Sequence, residues 1–421
     1  MKRALFAWTC ALLLGSQAEA APQPSACPER LPAGTRCFNG HDAEGAGYWI
    51  AIPKDWNRVL VLHAHGGPEL GAPRLQRSAE DLKRWAVTVK AGYAWAGSTY
   101  RRGGYGVTMA AQDTERLRLL FNEHFGAPRR TLLHGQSYGA GVASKGLEMY
   151  GRSSYDGALL TSGVLGGGVH AYGFRLDLRV VYQYVCNNHP RPDEPAYPLW
   201  QGLPANATLT REALAERVDE CTGVRKPAAQ RTDRQKANLE TITKVVGIPE
   251  RSLLGHLNWA TWLFQDLSVR LGGNAFDNTK TRYQGSSDDV ALNAGVLRYA
   301  ADARAVQALN EDSRPSGKLE MPVLGLHATK DPTASVALAF EYRDLVRAAG
   351  ASQRLVQAFT DEEEHSYLGE PQYPALFDAL VAWVERGDKP SAQGLALSCK
   401  AYEARYGAGC RIQPALSEQP R

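Results

Sequence analysis

The stretch that most narrows what this chain can fold into begins at Arg130. Arg130-Thr-Leu-Leu-His-Gly135 reads as a buried strand, Gln136-Ser137-Tyr138-Gly139 as a tight turn and 140–149 as a helix, one directly after another. The turn matches the pattern Gly-x-Ser-x-Gly, which holds a serine in a strained backbone conformation between a strand and a helix. A side chain at either flanking glycine would collide with neighbouring chain, so glycine is the residue that fits. The pentapeptide recurs by chance in unrelated sequences. The strand before it and the helix after it are what make Ser137 a candidate nucleophile.

The rest of the chain supplies a matching framework. Strands are expected over 47–53, over 58–67, whose centre is apolar and β-branched, and over 93–100; a helix with Leu117, Leu120 and Phe121 on one face follows over 109–123. Further strands read over 155–161, 322–327 and 354–359, with a helix over 335–349 between the last two. Leu376, Phe377, Leu380, Val381 and Val384 form a closing helical stripe. Strands alternating with helices imply an α/β fold: a mostly parallel sheet flanked by helices. Between 162 and 318 the alternation stops, and helical patterns over 211–218, 233–245 and 286–309 suggest an inserted, mainly helical cap. The expected organisation is therefore a core of 21–161 and 319–387, the 162–318 insertion, and an irregular tail over 388–421.

The N-terminus carries Lys2 and Arg3, an apolar run over 4–14 and then Ala18-Glu19-Ala20, which reads as a signal peptide over 1–20 cleaved before Ala21. That run is too short to span a bilayer, and no later stretch is apolar for long enough, so a secreted or periplasmic protein is expected. Beyond Cys10, an even set remains: Cys27, Cys37, Cys186, Cys221, Cys399 and Cys410. In an oxidising compartment these suggest disulfides, with nearest neighbours paired as the expectation, although spacing leaves other connectivities open. No cysteine or histidine cluster has metal-ligand spacing, and neither a metal nor a cofactor is expected. The formal charge of +4 and the lack of a basic block with interleaved aromatics give no case for nucleic acid.

From about residue 47 to 387, the insertion apart, the chain resembles the α/β-hydrolase superfamily. The resemblance implies that the nucleophile is followed by an acid and then a histidine. Asp331, in Leu326-His-Ala-Thr-Lys-Asp-Pro332 directly after an apolar strand, stands where the family places the acid; His365, after the last strand, stands where it places the general base. Asp361 to Glu364 are too close to His365 in sequence to reach round to its ring, and His134 and His327 lie within strands. The family's oxyanion donors fall on the backbone N–H groups of Tyr138 and, in His65-Gly66-Gly67-Pro68, of Gly67, with Gly66 as the alternative. Tyr100, at a strand end, is similar to the tyrosine with which prolyl-oligopeptidase-like hydrolases assist the oxyanion. Trp259, Trp262, 273–278 and 283–289 are placed where an insertion roofs the site, and no charged cluster there announces a charged substrate. The resemblance implies an exported serine hydrolase acting on small-molecule or polymeric esters. A peptidase or amidase with the same machinery and a non-catalytic binding protein remain open.

Overall fold

The computed structural model describes residues 21–414; the leader expected over 1–20 and the end of the tail lie outside them. Nine strands form one sheet: β1 (Gln23–Ser25), β2 (Arg36–His41), β3 (Gly47–Ile52), β4 (Val59–Ala64), β5 (Ala94–Ser98), β6 (Arg130–Gln136), β7 (Gly157–Thr161), β8 (Val323–Ala328) and β9 (Leu355–Thr360). Their order is β1-β2-β3-β5-β4-β6-β7-β8-β9. The β1–β2, β2–β3 and β3–β5 pairs are antiparallel, and every pair from β5 across to β9 is parallel.

The alternation of side chains along a strand explains why the central strands are apolar throughout. Val59 and Val61 of β4 join a cluster with Trp85, Phe377 and Leu380, whereas Leu60 and Leu62 join one with Leu117, Phe121 and Leu147. Helices Leu75–Arg84 and Gln372–Arg386 thus cover one face, and helices Val107–Phe125 and Tyr138–Ser154 the other. β4 has no exposed residue.

Between β7 and β8 the chain is helical, beginning with Gly167–Cys186, Arg211–Thr222 and Asp233–Val246. Its apolar residues, among them Leu176, Leu214, Ile242 and Phe264, form one cluster with Val107, Tyr138 and Val142 of the sheet-flanking helices. Two carboxylates add polar ties: Asp266 accepts from Tyr105 N at 2.7 Å, and Asp312 accepts from Val107 N and Thr108 N at 2.8 and 2.9 Å.

Two sequence expectations need correction. The helix expected over 286–309 is two, Asp289–Gly295 and Ala303–Ser313, because Asn278 captures the intervening backbone at Tyr299 N and Leu297 O and Asp302 caps a new start. The tail is not irregular: helix Ala392–Tyr406, capped by Ser391, buries Leu395 and Cys399. The β1–β2 hairpin also went unread, since its strands are short and carry little apolar alternation.

The cysteines pair as sequence neighbours, Cys27–Cys37, Cys186–Cys221 and Cys399–Cys410, across separations of 10, 35 and 11 residues. Closing the longest loop removes the most freedom from the unfolded chain. Replacing Cys186 and Cys221 together by Ser is expected to lower unfolding free energy by about 4 kcal/mol, against about 3 kcal/mol for the Cys27–Cys37 pair, in denaturant titrations.

Candidate active site

In this sheet order, β4 lies between β5 and β6, so the connections leaving β4 and β6 depart to opposite sides. Such a reversal opens a crevice at the carboxyl ends of the two strands, where open α/β sheets bind ligands. The loop His65-Gly66-Gly67-Pro68 follows β4, and Ser137 follows β6.

Ser137 sits between the last residue of β6 and the first of helix Tyr138–Ser154, at φ 56° and ψ −121°. This is a left-handed conformation that costs a non-glycine residue on the order of 1–3 kcal/mol. Three backbone bonds hold it there: Ser137 N donates to Thr161 O at 2.9 Å, and Ser137 O accepts from Ala140 N and Val164 N, each at 3.0 Å. The glycines have concrete reasons. A Cβ on Gly135 would lie 2.3 Å from Gly139 O, and one on Gly139 would lie 1.9 Å from Ala64 O.

The chain brings Asp331, after β8, and His365, after β9, to the same crevice. His365 Nε2 is 2.8 Å from Ser137 Oγ, and His365 Nδ1 is 2.8 and 3.0 Å from the two Asp331 oxygens. A carboxylate accepts only, so Nδ1 carries the proton and Nε2 is left to accept from the serine hydroxyl. The Asp331 side chain is fully buried, and Thr333 N and Ala334 N donate to its Oδ1 at 2.8 and 2.9 Å. The acid is thereby fixed before it orients anything. A serine after a parallel strand, an acid after a later one and a histidine after the next, joined by hydrogen bonds, complete the sheet's signature. The chain has the α/β-hydrolase fold.

No protein-family model matches the sequence, and no curated protein does. Solved structures that resemble it include a serine hydrolase from Cycloclasticus zankles (11% identity, 88% of this chain and 98% of that one, TM-score 0.37). Feruloyl esterase B from Aspergillus oryzae is similar at 15% identity over 84% of this chain and 81% of its own, with a TM-score of 0.40. Candida antarctica lipase A is similar at 11% identity over 85% and 78%, with a TM-score of 0.42.

The remaining candidates fall into two groups. Gly66, Gly67, Ser137, Tyr138 and His365 all line one cavity of about 230 Å³. Tyr138 opens its helix, whose first N–H groups have no partners within the helix. Tyr100 lies elsewhere: its ring stacks on His65 at 4.2 Å and its hydroxyl faces the His65 carbonyl at 3.5 Å, so it supports the loop from behind. His134 faces His63 and Thr161, and His327 Nε2 donates to Ala334 O at 2.9 Å. Asp361 pairs with Arg411 and Glu363 with Lys330, away from the imidazole.

Of the residues between β7 and β8 that the sequence put forward as a roof, Trp259 reaches the cavity. Trp262 packs under the Arg211 guanidinium, Asn274 and Asn278 bond backbone within the insertion, and the Tyr283 hydroxyl donates to Asp177. The sequence reading missed Tyr172 and Arg175, which also line the cavity, on helix Gly167–Cys186. Nothing in the sequence singled them out, because an arginine within a helical pattern reads as a solvated face. A second cavity of about 460 Å³ shares Ala171, Thr333 and Leu338 with the first.

Several imidazoles around the site are held neutral. Burial pushes His134 down to about 3; burial, aided by the charges of Arg77 and Arg175 respectively, pushes His65 down to about 4 and His256 to about 3. The unfolded chain protonates all three near 6.5, so below that pH it binds more protons than the fold does. The stability they contribute is present above pH 6.5 and is lost as pH falls toward 4. Urea titrations from pH 7 to 5 should show unfolding free energy declining by on the order of 1 kcal/mol per pH unit for each imidazole. At the turn, Gly139→Ala should cost more than about 3 kcal/mol by the same measurement, because the Ala64 carbonyl is backbone and cannot rotate aside.

Proposed function

We propose that the protein is a serine hydrolase that cleaves carboxylic esters through an acyl-enzyme on Ser137. The observation that carries this reading is the unbroken hydrogen-bonded series Ser137–His365–Asp331, opening on a cavity. As Ser137 Oγ attacks the ester carbonyl, its proton passes to His365 Nε2, and the buried Asp331 carboxylate stabilises the imidazolium. The N–H groups of Tyr138 and Gly67 receive the oxyanion, with the helix N-terminus behind Tyr138 adding favourable field. When the tetrahedral intermediate collapses, the imidazolium protonates the departing alkoxide. Water, deprotonated by His365, then attacks the acyl carbonyl, and a second collapse frees Ser137.

The helical insertion serves as the roof of this site, through Tyr172, Arg175 and Trp259. The three disulfides support an exported location in an oxidising compartment.

The test combines a fluorophosphonate probe with a panel of p-nitrophenyl esters and p-nitroanilides. The expected result is a single adduct on Ser137, ester turnover, and no adduct in Ser137→Ala. Asp331→Asn should lower kcat about 10⁴-fold with the fold intact, because the imidazole loses the partner that fixes its tautomer. An anilide preference would replace the esterase with an amidase, and absence of labelling in well-folded protein would sink the triad.

A further inference from the structure

The cavity beside Ser137 is lined by Arg77, Arg84 and Arg175, and among the described residues that line it none is Asp or Glu. Two of the three arginines have a ready structural account or stand at the margin. Arg77 ion-pairs with Asp81 at 3.4 Å and donates to Gly66 O at 3.1 Å, bracing the loop after β4, and Arg84 is half-buried. Arg175 has no such account.

Only 3% of Arg175 is exposed, and its guanidinium lies over the Phe174 and Tyr172 rings at 4.5 and 5.0 Å from their centroids. Nη1 donates to Ala171 O at 3.1 Å, within its own helix, and Nε is buried with no hydrogen-bond partner among the described residues. The neighbour that favours its charge is the Tyr172 phenol, and burial lowers the group to about 10. It therefore stays charged at neutral pH. Buried arginines ordinarily face a carboxylate, since leaving a charge desolvated and unpaired is costly. Here, among the described residues, no carboxylate neighbours it, and Arg175 is one of the residues that line the cavity. A planar guanidinium with free donors matches a carboxylate in two-point geometry, and flanking aromatic rings restrict where the guanidinium can turn.

Building on the esterase reading above, we propose that the substrate carries a carboxylate, which Arg175 binds while Ser137 attacks the ester. Arg77 and Arg84 add positive potential to the same cavity. A neutral ester leaves Arg175 unpaired and forgoes that contact, so the cavity discriminates by charge as well as by size.

The experiment compares matched pairs on the whole mature protein: monomethyl glutarate against methyl glutaramate, with the charge on the acyl side, and 4-acetoxybenzoate against 4-acetoxybenzamide, with the charge on the leaving group. In at least one pair the carboxylate member should be favoured in kcat/KM by about tenfold or more, the lower range for a hydrogen bond to a charged group. Arg175→Gln should bring that ratio toward one, and Arg175→Lys should retain part of it. Because the substitution is buried, the wild type also offers a test of its own: benzoate should inhibit phenyl acetate turnover more strongly than benzamide does. Ratios near one in both pairs of the wild type overturn the proposal, as does a preference that survives in folded Arg175→Gln. If no ester turns over and Ser137 does not label, calorimetry separates the two ideas. Tighter binding of glutarate or benzoate than of their amides keeps the anion site and removes the hydrolase, whereas no preference removes both.

Discussion

Everything at this site depends on how closely helix Tyr138–Ser154 can lie against the end of β4. The approach is backbone on backbone: the hydrogen-bearing face of Gly139 meets the Ala64 carbonyl where a methyl group would stand 1.9 Å away. That contact brings the start of the helix alongside the His65-Gly66-Gly67 loop, so Gly66, Gly67 and Tyr138, from distant parts of the chain, line one cavity. It also explains why Ser137 can be held at positive φ. The strain is local, whereas the bonds to Thr161 O, Ala140 N and Val164 N tie the residue to a neighbouring strand, its own helix and the segment after β7. A strained residue persists when its surroundings determine it this many times over.

Behind the crevice, the polar interior is arranged so that the groups near Ser137, His365 and Asp331 are uncharged or already engaged. His63 and His134 meet at 3.1 Å between Nδ1 atoms, and burial lowers both, so at neutral pH they are a neutral pair sharing a proton contact. Tyr100 closes off His65 from below. Asp331 is the exception that matters chemically, and its two backbone donors stabilise negative charge in a place from which water is excluded. Beside those two backbone N–H groups, the Asp331 carboxylate accepts from the imidazole of His365.

The parts of this arrangement that were legible in the sequence are those governed by local rules. A β-branched apolar run, a glycine-flanked serine and an acid after a strand each depend on a few adjacent residues, and the superfamily resemblance, which implies an acid and then a histidine after the nucleophile, is what linked Asp331 and His365 to Ser137. Neighbouring cysteines were legible for a related reason: short loops bring their ends together readily. Tyr100 was misplaced because the strand end fixes where its backbone lies but not that its ring turns to stack on His65. Helix Ala392–Tyr406 escaped notice because few of its residues are buried, so it leaves little apolar periodicity to read. Arg175 was invisible for the opposite reason. An arginine at helical spacing reads as a solvated face, and only the packing of the whole insertion shows that this one is enclosed.

The position of Arg175 relative to the nucleophile follows from chain continuity. Val164 N bonds to the Ser137 carbonyl, and the helix Gly167–Cys186 starts a few residues later, so the segment leading into the helix is tied to the turn that carries Ser137. Arg175 then lies about 12 Å along the axis from Gly167, at the standard rise per residue. Helix Ala303–Ser313 holds two helix starts at once: Asp312 accepts from Val107 N and Thr108 N, and Ser313 Oγ accepts from Gly168 N at 2.8 Å. Only a short segment separates Val164 from that helix, so the placement of Arg175 relative to Ser137 rests on a helix and its immediate approach rather than on a long loop.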